Sequence, residues 1–169
     1  MPDQPSFILF VTDQHRADFL GCYGHPVLKT PHIDAIAAAG VKSDAFYVAS
    51  PVCMPNRASL MTCRLPSSHG VRMNGIPLDH RHVTFVEMLR DAGYDTALIG
   101  KSHLQVIGDN PPMMPRPEIP ATHRAPAPDL AEAIRHDLGS LAYRNETPSH
   151  WAQEGARVAL PFYGFDHVE

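Results

Sequence analysis

Residues 53–57 of this chain read Cys-Met-Pro-Asn-Arg and place a thiol four residues before a guanidinium. We expect a helix at residues 57–64, with Asn56 as its N-cap residue. The positive end of a helix dipole and its free N–H groups favour an anion, and a guanidinium adds two coplanar donors for sulfate or phosphate oxygens. The pattern therefore predicts an oxyanion site with Cys53 as the nucleophile.

A plainer interpretation of the same residues stays open. Cys53 would then be a buried structural cysteine before a loop proline, and Arg57 would be a surface residue of the helix. Free cysteine is among the most buried residue types, so burial alone could explain the thiol.

The first predicted strand covers residues 7–11 (FILFV), a continuous apolar run that is typical of a central parallel strand buried on both faces. Asp13 and Gln14 follow at its carboxyl end, which is the edge where open α/β sheets bind ligands. We also expect a strand at residues 41–49.

A further strand is predicted at residues 95–99, so that Lys101 and His103 emerge at the same edge of the sheet. The loop that carries Cys53 can meet them there. Asn74 lies in the loop after the nucleophile helix, where it is either a donor to substrate oxygens or simply the turn residue of Asn-Gly.

The sequence also predicts helices between these strands. Residues 31–39 should form a helix between Thr30 and Gly40, with an apolar stripe through Ile33, Ile36 and Ala37.

The order of Thr84 and Glu87 predicts a capping box that opens a helix through residue 90 and ends near Gly93. A third helix is predicted at residues 130–138, after a cap at Asp129.

Three segments make up the predicted organisation. Residues 1–107 form the amino-terminal part of a catalytic domain, residues 108–128 form a proline-rich loop, and residues 129–169 continue the same domain.

Composition narrows the function classes. A formal net charge of −4 argues against a general nucleic-acid binder. The apolar run at residues 7–11 is too short for a signal or membrane helix, so we expect no membrane association. Three cysteines without a disulfide framework indicate reduced thiols and predict a cytoplasmic protein.

Residues 53–64 (CMPNRASLMTCR) resemble the signature of the sulfatase family, Cys/Ser-x-Pro-x-Arg-x-x-x-Leu-Thr-Gly-Arg. Five positions match in register: Cys53, Pro55, Arg57, Thr62 and Arg64. Met61 stands at the usual Leu position and Cys63 at the usual Gly. Residues 93–103 (GYDTALIGKSH) and 7–14 (FILFVTDQ) resemble two further strings of the family and occur in the family's order.

This resemblance implies an α/β fold like that of alkaline phosphatase, a mostly parallel sheet flanked by helices, and sulfuric ester hydrolase activity. It implies that a maturation enzyme oxidises Cys53 to formylglycine, whose hydrated aldehyde attacks a small-molecule sulfate ester. Arg57 would then hold the hydrate, and Lys101 would contact the sulfuryl oxygens. His103 would bond or deprotonate the diol.

A divalent cation is also implied, with Ca²⁺ as the first choice and Mg²⁺ or Mn²⁺ as alternatives. Its ligands would be Asp13, Gln14 and the modified side chain of Cys53, because hard oxygen donors suit these ions. Gln14 stands where the family often has a second Asp, and its amide oxygen carries no charge.

The length of 169 residues is well below that of family members, which carry further metal ligands on a later strand. Residues 165–167 (FDH) echo that element, but we interpret them as a loop that enters the next strand. We therefore expect the amino-terminal part of a sulfatase, an incomplete domain with little or no turnover alone.

Two other functions stay open. A phosphonate or phosphate ester hydrolase on the same scaffold is mildly favoured by Gln14, whereas the Gly-Lys-x-His string favours a sulfatase. A non-catalytic fragment or interaction module would follow from the missing ligands. The remaining histidines, including His69, His80 and His82, are interpreted as surface or loop residues.

Overall fold

The chain divides into two compact units, Met1–Tyr47 and Val48–Glu169. The computed structural model describes residues 4–109, 122 and 140–169. The predicted helix at residues 130–138 lies outside these ranges, as does most of the predicted proline-rich loop. Within them, no helix is both long and apolar enough to cross a membrane.

The amino-terminal unit is organised around helix α1, Pro31–Ala39, which has the predicted bounds. Asp34 in its first turn accepts hydrogen bonds from the Thr30 hydroxyl at 2.8 Å and from the Cys22 N–H at 2.7 Å. Thr30 in turn accepts the N–H of Gly21 at 2.8 Å. Asp34 therefore joins the start of α1 to the 3₁₀ turn at Gly21–Tyr23.

The apolar stripe predicted for α1 is wrong in detail. Ile33 and Ile36 are exposed, Ile36 at 72% of its surface, whereas Ala37 and Asp34 are the partly buried residues. The reason is that the first turn of the helix is held through the polar contacts of Asp34 rather than through its isoleucines.

The strands predicted at residues 7–11 and 41–49 are also wrong. Neither segment is in a β-strand, and their large apolar side chains are exposed, for example Phe10 at 91% and Val41 at 96%. A strand exists only where a neighbour takes its N–H and C=O groups, and the described residues of this unit form no sheet. Apolar content alone cannot supply that neighbour.

In the second unit, helix α2 covers Cys53–Thr62 with Val52 at the N-cap position. The predicted N-cap at Asn56, with the helix starting at residue 57, is therefore wrong by four residues. The Asn56 N–H donates to the Val52 carbonyl at 3.0 Å, which closes the first turn of α2. Pro55 is tolerated because first-turn residues need no N–H donor.

Helix α3, Pro66–His69, follows α2 after a turn, and helix α4 covers Phe85–Asp91. The predicted capping box at α4 is confirmed: the Thr84 hydroxyl accepts the Glu87 N–H at 3.1 Å, and the Glu87 carboxylate accepts the Thr84 N–H at 2.7 Å. Thr84 also donates to the carbonyl of Tyr163 at 2.9 Å. The cap of α4 thus anchors the carboxyl-terminal segment, residues 162–169.

The sheet of the described part of the chain pairs strand β1, Ala97–Leu98, with strand β2, His167–Val168, in parallel. The strand predicted at residues 95–99 is confirmed but is shorter. The interpretation of residues 165–167 as an entry to a strand is also confirmed, since β2 begins there. A 3₁₀ turn at Leu141–Tyr143 and helix α5, Pro148–Trp151, precede β2.

A hydrophobic core connects these elements of the second unit. Its fully buried members come from α2, α4, the intervening loops and the carboxyl-terminal segment: Met54, Ala58, Met61, Val71, Leu78, Val86, Leu104, Phe162, Tyr163 and Phe165. The Tyr163 hydroxyl donates to the Leu78 carbonyl at 2.6 Å. Burial raises the pKa of Tyr163 well above its ordinary value, so the phenol stays a neutral donor.

His69 is not the surface or loop residue that was predicted, because it is completely buried. Its Nδ1 accepts the Val71 N–H at 3.2 Å, so the proton of the neutral ring lies on Nε2. Nε2 is 2.9 Å from the Ser59 hydroxyl. The ring therefore joins α2 to α3 inside the core.

Gly164 provides a test of the contact between α4 and the carboxyl-terminal segment. It has φ of 92°, and a Cβ there would lie 2.5 Å from the Glu87 nitrogen. Gly93 has φ of 90° but open space around it, so it is a matched control. We expect Gly93→Ala to cost about 1 kcal/mol and Gly164→Ala about 3 kcal/mol in urea unfolding. Equal losses would show that the contact with Glu87 relaxes freely.

Candidate functional site

The first turn of α2 presents Cys53, the predicted nucleophile. Cys53 is the first residue of the helix, is half-buried and forms no disulfide. In the first turn of α2, Pro55 has no N–H and the Met54 N–H is taken by Asn74, so the dipole of the helix is the main source of positive potential at Cys53. The fold therefore places the thiol at the positive end of a helix, as the sequence predicted, but with fewer free N–H donors, and the helix begins at this residue rather than after it.

Asn74 contacts this turn directly. Its side-chain oxygen accepts the Met54 N–H at 3.1 Å, and the next residue, Gly75, donates its N–H to the Met54 sulfur at 3.1 Å. Asn74 is itself exposed. The Asn-Gly turn thus caps α2 from outside the helix, and it leaves the NH₂ group of the carboxamide as a donor beside the first turn.

Arg57 lies one turn after Cys53, so the two side chains share one face of α2. Its Nη1 donates to the backbone carbonyl of Lys101 at 2.5 Å. Lys101 follows β1 directly after the turn at Gly100, whose φ is 97°. The guanidinium therefore connects the nucleophile helix to the segment that carries the other two predicted catalytic residues.

Residues 101–105 after β1 form a tightly held segment. Ser102, His103 and Gln105 are buried, whereas Lys101 is exposed. His103 has φ of 51°, a left-handed conformation that is uncommon outside glycine. The structure thus places His103 in the core-facing part of this segment and Lys101 at its surface.

Glu146 holds this segment, and the sequence analysis missed it. Its carboxylate accepts the His103 N–H at 2.7 Å, the Gln105 N–H at 2.9 Å and the Ser102 hydroxyl at 3.1 Å. These partners lie 41 to 44 residues earlier in the chain. A local sequence pattern cannot predict this contact, because residues so far apart in the chain show no helix or strand periodicity in common.

Gln105 forms a second attachment to the same stretch. Its side-chain oxygen accepts the backbone N–H of Asn145 at 2.9 Å and the Asn145 side-chain amide at 3.1 Å. Its own amide donates to the Ala142 carbonyl at 3.0 Å. Gln105 is completely buried, so these bonds satisfy polar atoms that water cannot reach.

His80 stacks between two aromatic rings beside this network. Its ring centroid is 4.8 Å from that of Tyr143 and 4.6 Å from that of Tyr163. His80 is exposed, as predicted, but it packs rather than pointing freely into solvent. Nearby His82 is partly buried, and burial is the main cause that lowers its pKa.

Asp13 and Gln14, the predicted metal ligands, belong to the amino-terminal unit. Both are exposed, and Gln14 has φ of 51°, a conformation that is rare for a residue other than glycine. Carboxylate and carboxamide oxygens suit Ca²⁺ and Mg²⁺. Within neither unit do the described His, Cys, Asp and Glu side chains form a group of three placed to hold a metal ion.

A cavity of about 300 Å³ opens beside the segment after β1. Lys101, Ser102 and Glu146 contribute to its polar wall. The remaining wall is largely apolar and includes Leu98, Ile107, Trp151, Val158, Phe162 and Val168. This volume lies at the small end of the range for ligand pockets.

Comparison with known proteins relates this geometry to one family. The sequence model of the family described as Sulfatase matches residues 5–132. Steryl-sulfatase of Homo sapiens is 40% identical over 114 residues, which are 60% of this chain and 19% of that protein. Arylsulfatase A of Homo sapiens is 40% identical over 110 residues, 60% of this chain and 21% of that protein.

A bacterial relative and a solved structure agree with these matches. The ulvan-active sulfatase of Formosa agariphila is 39% identical over 103 residues, 61% of this chain and 20% of that protein. The crystal structure of the sulfatase-family protein yidJ from Bacteroides fragilis has a TM-score of 0.53 and 34% identity over 56% of this chain and 22% of that one.

The structural likeness confirms the predicted α/β class, a parallel sheet with flanking helices. The chain spans about a fifth of the length of the curated relatives that it matches. The match to the family's sequence model extends over most of the chain, from residue 5 to residue 132. On this evidence the chain belongs to the sulfatase family.

Proposed function

We propose that this chain provides the nucleophile-bearing part of a sulfuric ester hydrolase. Membership of the sulfatase family supports the reaction class. The single structural observation behind the proposal is the hydrogen bond from Arg57 to the Lys101 carbonyl, because it joins the helix of Cys53 to the segment of Lys101 and His103. The four residues predicted to be catalytic thus lie on two directly connected segments.

In this proposal Cys53 is oxidised to formylglycine by a maturation enzyme. That modification would supply a hydrated aldehyde. Its hydroxyl would attack sulfur as the bond to the substrate alcohol breaks and the alcohol leaves, and its carbonyl would re-form as sulfate is eliminated. The half-buried position of Cys53 at the start of α2 leaves part of its side chain accessible. The helix N-terminus would favour the negative charge that gathers on the sulfuryl group.

Arg57, Lys101 and Asn74 are the proposed groups that neutralise and orient the sulfate. Arg57 would hold the side chain at position 53 through the N–H groups that do not face the Lys101 carbonyl. Lys101, exposed at the surface of its segment, would contact the sulfuryl oxygens as a compact positive charge. The amide nitrogen of Asn74 would donate to a sulfuryl oxygen beside the first turn of α2.

His103 is the proposed proton acceptor. Glu146 accepts the N–H of His103 and the backbone there is left-handed. The imidazole therefore leaves the backbone in a defined direction. A neutral imidazole can take a proton from a hydroxyl group at neutral pH, because its ordinary pKa is near 6.5. His103 has no proposed contact with the substrate alcohol, which other residues would recognise.

A divalent cation, with Ca²⁺ ahead of Mg²⁺ or Mn²⁺, is part of the proposal. Asp13 and Gln14 carry hard oxygen donors of the kind these ions need. When bound, the cation would act as a Lewis acid that polarises the sulfuryl group. The thiol of Cys53 is a soft ligand, so position 53 fits a Ca²⁺ site only in an oxygen-bearing form.

Tryptic mass spectrometry of the protein from its native host tests the modification. Cleavage after Lys42 and Arg57 gives a peptide, residues 43–57, in which Cys53 is the single cysteine. We expect a loss of about 18 Da on this peptide, as thiol is converted to aldehyde. The peptides with Cys22 and Cys63 should keep unmodified thiols. An intact thiol at position 53 would contradict the formylglycine proposal.

Substitution of Arg57 tests the proposed reaction in the intact protein that contains this chain. We expect Arg57→Lys to lower kcat/KM for an aryl sulfate about 10² fold, because the single nitrogen of an ammonium cannot reproduce the separated, coplanar N–H groups by which the guanidinium reaches both the Lys101 carbonyl and position 53. Arg157→Lys, at an exposed position, is the matched control and should change kcat/KM less than about 2-fold.

The same assay separates the enzyme classes. An aryl sulfate, an aryl phosphate and an aryl phosphonate with one leaving group are compared, and the sulfate should react fastest. Faster cleavage of the phosphonate would favour the alternative hydrolase, and an unchanged rate in Arg57→Lys would remove Arg57 from the mechanism.

A further inference from the structure

One carboxylate gathers three donors from a single short segment of the second unit. Glu146 accepts the N–H groups of His103 and Gln105 and the hydroxyl of Ser102, at 2.7, 2.9 and 3.1 Å. Hydrogen bonds to an ionised acceptor are about twice as strong as neutral ones. Glu146 therefore binds the backbone on both sides of Leu104.

We propose that Glu146 is a positioning residue for the reaction proposed above: it fixes the direction in which the His103 side chain leaves the backbone. The inference rests on that proposed function. Glu146 itself need not touch the substrate, since its two carboxylate oxygens are already occupied by three donors. Glu146 would influence the reaction indirectly, because it holds the backbone of residues 102–105.

The conformation of His103 shows why such a residue is needed. A non-glycine residue with φ of 51° costs about 1 kcal/mol or more, and it persists only where its surroundings impose it. The Glu146 oxygen lies 2.7 Å from the nitrogen of this same residue. Without the carboxylate, two buried N–H groups would lose their partner and the strained conformation would lose its restraint.

Other contacts also hold the segment, so the effect of removing Glu146 should be confined to its middle. Arg57 holds the carbonyl of Lys101, the Leu78 N–H donates to the Leu104 carbonyl at 2.8 Å, and Asn145 holds the side chain of Gln105. Removal of the central restraint leaves the two ends attached. The segment should therefore remain folded while its middle residue moves, so a positioning defect can be separated from unfolding.

Glu146→Gln and Glu146→Ala in the intact protein give a graded test. A carboxamide can keep two of the three hydrogen bonds, for example by accepting the His103 N–H through its oxygen and donating its NH₂ group to the Ser102 hydroxyl, whereas alanine keeps none. We expect kcat for an aryl sulfate to fall about 10-fold for Gln and about 10² fold for Ala, with KM changed less than about 3-fold, since orientation acts on the chemical step. Glu154→Gln, at an exposed position, is the matched control.

A double-mutant cycle distinguishes positioning from general loss of structure. If Glu146 acts through His103, then Glu146→Gln should lower kcat much less in a His103→Ala background than in the wild-type protein. Equal fold-losses in both backgrounds would overturn the proposal. So would a loss that appears in KM alone.

Amide hydrogen exchange provides a readout that does not depend on turnover. Exchange at the amides of His103 and Gln105 should be at least 10-fold faster in Glu146→Ala than in the wild-type protein or in Glu154→Gln, with exchange in α2 unchanged. Unchanged exchange at these amides would overturn the inference even in an active enzyme. Absence of sulfate ester hydrolysis by the wild-type protein would instead overturn the proposed function, and faster exchange would then still establish the restraint.

Discussion

Helix α2 imposes the constraint on which the second unit depends, because one short helix has to face both the core and the candidate site. Met54 and Ala58 lie on one stripe at a spacing of four residues and are almost completely buried. Cys53 and Arg57 lie on the adjacent stripe at the same spacing and stay partly accessible. The periodicity of the helix therefore couples them: any rotation that exposed Met54 would also move Cys53.

The carboxyl-terminal segment holds the loop before α4, the cap of α4 and the start of β1 together. Tyr163 donates to the Leu78 carbonyl and accepts from the Thr84 hydroxyl that caps α4. Thr96 donates to the Gly164 carbonyl at 2.7 Å. Together with the Glu146 carboxylate, these bonds place the segment after β1 beside Arg57. The positions of the proposed catalytic residues thus depend on residues that have no proposed role in the reaction.

Local patterns predicted elements well where their partners are near in sequence. The capping box of Thr84 and Glu87 is such a case, since both hydrogen bonds close within three residues. Residues 7–11 are the opposite case: their apolar run requires a neighbouring strand, and its absence from the described residues of that unit leaves the run exposed. His69 was misjudged for a similar reason, because its burial depends on Ser59, ten residues away on another helix.

By itself, the sequence determined the identity and spacing of the proposed catalytic residues. Cys53 and Arg57 stand four residues apart, and Lys101 and His103 follow a strand, because these relations are local and survive in any fold that forms the helix and the strand. Only the tertiary structure decided how they are held. The contacts of Glu146 cross more than 40 residues of chain, and such contacts arise from the packing of distant segments rather than from the preferences of the residues that make them.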